Sequence, residues 1–116
     1  MKRNLLLLVG LIVLAGTVLG MQQLYPNMEG TRVLENENVV VERFTTRPGQ
    51  WAGVHAHKGN QITVILNGGT VTFRENGHER VETMEDGSVI WVEATEGHDH
   101  GNTGDTPIEM LVFTLK

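Results

Sequence analysis

His55 and His57 stand one residue apart in the stretch PGQWAGVHAHKGNQITVILNGG, residues 48–69, and Gln61 follows after three more residues. Side chains two apart on a strand leave from the same face, so these two imidazoles emerge together and can be offered to one metal ion. An exposed polar strand produces the same pattern without chemistry. A third histidine, His98, sits far along the chain after the run SVIWV. A later histidine at a suitable place makes the metal reading much stronger than His-x-His alone. Gln61 opens the next apolar run and shares its face with Thr63 and Ile65, while Ile62, Val64 and Leu66 point the other way.

Other candidates carry less. His100 shares a face with His98 and reads as an exposed edge residue, or as an extra ligand at a different site. His78 follows Asn76-Gly77 and reads as solvated. Trp51 and Trp91 suit core packing or rim cover before a pocket wall. Glu93 and Glu96 could supply a general base, although loop carboxylates are usually just solvated.

The elements that must position these groups are short runs cut by turn residues. TRVLE, VVVERFTT, QITVIL, TVTFRE, ERVETM, SVIWV and IEMLVFTLK are rich in β-branched and apolar residues. Between them fall Arg47-Pro48-Gly49-Gln50, Asn67-Gly68-Gly69, Asn76-Gly77 and Asp86-Gly87, which are turn sequences; Asn-Gly is the strongest hairpin signal among them. Apart from the first residues, no window sustains a 3.6-residue apolar period. The fold class is therefore all-β, with residues 31–116 as one small barrel domain and residues 21–30 as an irregular lead-in.

Residues 1–20, MKRNLLLLVGLIVLAGTVLG, have a basic start and an apolar run from Leu5 to Leu19 that is short for a membrane span. Small residues follow, as in a secretory signal peptide, and the expected cut lies after Gly20. The mature protein would then be secreted or periplasmic, with no stable membrane insertion after cleavage. An uncleaved N-terminal membrane anchor is the alternative. No cysteine occurs, which excludes a lipoprotein anchor and any disulfide. Loss of Lys2 and Arg3 takes two positive charges from the formal −5 and leaves −7. That acidic balance argues against nucleic acid as a partner.

The chain resembles a single-domain cupin. The family's first motif is Gly, five residues, His-x-His, three or four residues, Glu, six residues, Gly; here Gly49, QWAGV, His55-Ala56-His57, KGN, Gln61, ITVILN and Gly68 match each spacing. The second is Gly, five residues, Pro-x-Gly, two residues, His, three residues, Asn; here Gly87, SVIWV, Glu93-Ala94-Thr95, Glu96-Gly97, His98, DHG and Asn102 match it in length. Glu93 and Thr95 replace the family's Pro and Gly, and Gln61 replaces its Glu. The resemblance implies a double-stranded β-helix, or jelly-roll, barrel. It implies a divalent transition metal ion on His55, His57 and His98, with Gln61 as a fourth ligand or as the partner of a metal-bound water. Imidazole ligands suit zinc, iron, copper or nickel. Without the carboxylate, the ion keeps nearly its full charge and attracts an anionic ligand or hydroxide.

The family contains dioxygenases, isomerases, lyases and non-catalytic binders. The expectation is a metal-dependent enzyme of one of these types acting on a small anionic organic molecule; no catalytic residue is identified. The alternative is a non-catalytic metal- or small-ligand-binding protein of the cell envelope. A purely structural barrel is the third and weakest reading. Small cupins commonly pair, so a homodimer is expected, with VVVERF as the apolar edge it would cover.

Overall fold

The computed structural model describes residues 23–116; the expected signal peptide lies outside them. The described residues form nine strands: β1 Thr31–Glu35, β2 Val39–Thr46, β3 His55–His57, β4 Gln61–Asn67, β5 Gly69–Glu75, β6 His78–Met84, β7 Val89–Val92, β8 Thr95–Asn102 and β9 Ile108–Leu115. They form two antiparallel sheets, β1-β2-β9-β4-β7 and β3-β8-β5-β6. Sequential strands alternate between the sheets at β2–β3, β3–β4 and β4–β5, which is the jelly-roll arrangement of a double-stranded β-helix.

Turn chemistry sets the corners. Asn76 (φ 51°) and Gly77 (φ 76°) both occupy the left-handed region between Glu75 and His78, which pair across the hairpin. That is the backbone a two-residue type I′ turn needs. Pro48-Gly49 turns with Gly49 at φ 80° and a hydrogen bond from Gln50 N to Arg47 O at 3.0 Å.

The core lies between the sheets and includes Phe44, Ile65, Val71, Met84, Ile108, Met110 and Val112. Strand β4 shows why: Gln61, Thr63 and Ile65 are buried, while Ile62 and Val64 on the opposite face are only half-buried and Leu66 is exposed. The residues before β1 also contribute. Tyr25 and Met28 are 3% and 1% exposed, held by Asn27 N to Ala52 O at 2.9 Å and Gln23 Nε2 to Met28 O at 2.7 Å. The lead-in is thus a packed strap, since its two large apolar side chains complete the core.

One expectation is corrected. VVVERF is not an edge, because β2 pairs with β1 on one side and with β9 along its full length on the other. The edges of that sheet are β1 and β7.

Candidate metal centre

Strand β3 places His55 and His57 on one buried face, 7% and 6% exposed, with Ala56 outward between them. Opposite it runs β8, where His55 pairs with His98 and His57 with Thr95. Three residues on β3, 55–57, thus face four on β8, 95–98, a bulge that re-aims the side chains beside it. The ring centroids of His55 and His98 lie 4.6 Å apart, those of His57 and His98 5.4 Å, and those of His55 and His57 6.3 Å. All three sequence-predicted histidines therefore meet in one place.

Their hydrogen bonds set their chemistry. His55 Nδ1 lies 2.6 Å from Gly53 O, and His57 Nδ1 lies 2.9 Å from Gly59 O. A carbonyl can only accept, so both rings carry their proton on Nδ1 and turn a bare Nε2 lone pair into the site. Gly59 supplies its acceptor from a turn so close to the Leu115 carbonyl that a Cβ would clash. Gly53, at φ 90°, is held by Asp99, whose Oδ1 accepts from Gly53 N at 2.9 Å and from His100 N at 2.8 Å.

The Nε2 atoms of His55 and His98 are 2.9 Å apart, a separation that a hydrogen bond from His98 explains. Two nitrogens each about 2.05 Å from one tetrahedral ion stand ~3.3 Å apart, so a small outward movement of either ring would admit an ion. His57 Nε2 is buried and has no hydrogen-bond partner. A buried lone pair left unmatched costs about 1–3 kcal/mol and is uncommon in folded proteins. Among the described residues, no group of three histidine or carboxylate side chains stands at ready-made ligation geometry. The donor set nonetheless fits a divalent ion, because the Nε2 atoms of His55 and His98 already converge, sharing one proton that an ion would displace, and the Nε2 of His57 is unpartnered.

Burial lowers the pKa of His55 and of His98, and the neighbouring histidines lower His98 further. His100 is pushed down to about 3, first by burial and then by His55, His98 and His57. These imidazoles are therefore neutral at pH 7, as metal ligands must be.

Gln61 is 2% exposed at the start of β4, and its Nε2 donates to Thr114 Oγ1 at 3.1 Å. That leaves the carboxamide oxygen uncommitted. A cavity of about 310 Å³ opens beside the cluster, reaching Gln61, His98, His100, Tyr25, Trp91 and Glu93 among others. Trp91 walls it while remaining 52% exposed, and its Nε1 donates to Glu93 Oε1 at 2.9 Å. Trp51 instead packs flat on Gly101, under the Arg74 guanidinium at 3.9 Å. His78 is exposed, as expected.

His100 is corrected: it is half-buried and faces the cavity, its ring 5.3 Å from His55 and 5.0 Å from Tyr25. The i, i+2 spacing from His98 was the available signal. Tyr25 had none, since nothing in an aperiodic segment marks a residue that folds back into the core. Asp99 was missed because its role runs through backbone amides.

The cupin domain family model matches residues 42–114. An oxalate-binding protein of Thermotoga maritima is 33% identical over 83 residues, which are 71% of this chain and 66% of that protein, just under two thirds of its length. A solved cupin domain from Bordetella pertussis superposes with a TM-score of 0.72 at 22% identity, covering 84% of this chain and 99% of the other. A predicted oxalate decarboxylase from Thermotoga maritima gives 0.58 at 29% identity, with 77% and 81% covered. With both motifs, the two-sheet barrel and the family match over most of its length, this chain belongs to the cupin family.

Proposed function

We propose that this protein binds a divalent transition metal ion through His55, His57 and His98, with Gln61 beside it, and uses the ion to hold a small anionic organic molecule. The observation that carries the reading is the buried, unpartnered Nε2 of His57 next to the converging Nε2 atoms of His55 and His98. An ion there would act as a Lewis acid towards a carboxylate oxygen. His55 and His57 hold their lone pairs inward through Gly53 O and Gly59 O, and the neutral donor set leaves the ion's charge available to an anion. The Thermotoga relative's name, an oxalate-binding protein, supports a carboxylate ligand.

Glu93 on the cavity wall favours a second reading, in which the ligand is turned over by a dioxygenase, isomerase or lyase reaction and Glu93 handles the proton. Glu93→Gln would then abolish turnover and leave metal content unchanged. Export to the periplasm or beyond, after cleavage behind Gly20, belongs to the same proposal. N-terminal sequencing of protein from its native host should return Met21; an intact Met1 in a soluble cytoplasmic fraction refutes it.

Metal analysis tests the centre. Wild type should carry about one ion per chain, and His57→Ala should lose most of it. Chelation should lower the melting temperature of wild type, since ligand at a hundred times its Kd stabilises by about 2.7 kcal/mol. Equal metal content in the two proteins overturns the assignment.

A further inference from the structure

The cavity is polar beside His98, Gln61 and Glu93 and mostly apolar around Ile65, Val71 and Met110, where Glu82 and Asn102 also reach its wall. Cross-strand pairs along β4 and β9 run Gln61–Thr114, Thr63–Val112, Ile65–Met110. On β8 and β5 the pairs run Phe73–His100, then Val71–Asn102. The first wall becomes apolar in that direction, and the second ends on Val71 beside Asn102, whose polar atoms are taken up by Thr46 O, Thr106 O and Gly104 N. His57, Gly59 and Gln61 lie by the end of β9 near Leu115, whereas Asn102 reaches Thr106 O at 2.8 Å and Gly69 packs against Ile108 at the other end. Each step of two residues is about 6.8 Å, so Ile65 and Val71 lie two steps, about 14 Å along the strands, from Gln61 and His98.

Size points the same way. The 310 Å³ cavity equals about ten water volumes of roughly 30 Å³ each. Oxalate, with six non-hydrogen atoms and two charged ends, would leave Ile65, Val71 and Met110 facing water or set a carboxylate against them. We infer that the natural ligand is a carboxylate with one apolar body, its anionic head at His98 and Gln61 and its body between Ile65, Val71 and Met110. The anionic head rests on the proposed metal centre, and the apolar body rests on the cavity alone.

Calorimetric titration of the zinc-loaded protein with acetate, butyrate, hexanoate and octanoate, and with the matching 1-alcohols, separates the two parts. Zinc content is measured on the same sample. Affinity for the acids should rise up to about fourfold per methylene until the cavity is full, so that hexanoate, four methylenes longer, binds up to about 250-fold tighter than acetate. The alcohols should show the same slope at weaker affinity. Ile90→Phe, which narrows the cavity beside Thr63, should flatten both slopes and leave acetate unchanged. Flat series in zinc-bearing wild type, or oxalate binding tighter than hexanoate, overturn the inference. An unchanged slope in Ile90→Phe overturns it too, because the body would then lie elsewhere. Alcohols that climb in a protein holding no zinc support the apolar subsite and refute the metal centre instead.

Discussion

Replacing Gln61 by glutamate is the sharpest test of the centre, because its two effects have opposite signs with and without metal. In the chelated protein the new carboxylate is 2% exposed and has Thr114 Oγ1 as its one hydrogen-bond partner. Burial disfavours its charged form, so its pKa rises above the ordinary glutamate value of about 4.3. The folded state then binds more protons than the unfolded one, and stability falls as pH rises above that value. The cost is capped by protonation: holding the group neutral takes at most about 3.7 kcal/mol at pH 7 and about 1 kcal/mol at pH 5, at 1.36 kcal/mol per unit. At pH 7 a penalty of about 3 kcal/mol would lower the melting temperature by roughly 12–24 °C in a domain of this size. A divalent ion reverses the sign, since the carboxylate now faces a cation held by neutral imidazoles. The variant should therefore gain more from metal than wild type does, and bind it more tightly. The assay is a thermal melt of both proteins with chelator and with zinc, at pH 5 and pH 7, beside a metal competition titration. If chelated Gln61→Glu melts with wild type at pH 7, or zinc stabilises both equally, Gln61 does not face the metal.

Asp99→Ala removes the acceptor shared by Gly53 N and His100 N; it should cost about 2 kcal/mol in a melt and weaken metal binding at least about tenfold. Asp99→Asn keeps an acceptor oxygen and should lose far less, and equal metal affinity in wild type and Asp99→Ala refutes the role. Gln61→Leu should weaken metal retention only modestly in the same titration, because three imidazoles remain. Dimerisation is proposed at β1, an edge strand among the described residues with Val33 58% and Leu34 51% exposed, so Leu34→Lys should shift light scattering from dimer to monomer. A wild-type monomer across a tenfold concentration range refutes that.

The sequence was legible where local physics decides the outcome. Asn76-Gly77 demands left-handed backbone at both positions, and the hairpin is there. Strand β4 alternates, and its Gln61 face is the inner one. Strand β8 was harder, because TEGHDHGN has no large apolar residue and carries no strand signal of its own. Pairing with β3 and β5 makes it a strand, and those partners are remote in sequence. The same cause hid the inward turn of His100. Likewise, β2 reads as an exposed apolar run until β1 and β9 are known to flank it.

The buried polar residues also separate structural roles from functional ones. Asn102 is 1% exposed and fully matched: its Nδ2 donates to Thr46 O and Thr106 O at 2.9 and 2.8 Å, and its Oδ1 accepts from Gly104 N at 3.1 Å. It fastens the turn after β2 to the turn after β8, a structural task for which an asparagine is sufficient. Thr72 is similarly tied to Thr103 at 2.8 Å. His57 differs, because its Nδ1 is satisfied while its buried Nε2 is left without a partner. A barrel selected for stability alone would fill that position with an apolar side chain of similar volume and avoid the cost. Accepting it makes sense when something outside the chain completes the lone pair. His57, rather than any feature of the fold, is therefore the residue that argues against a purely structural reading of the barrel.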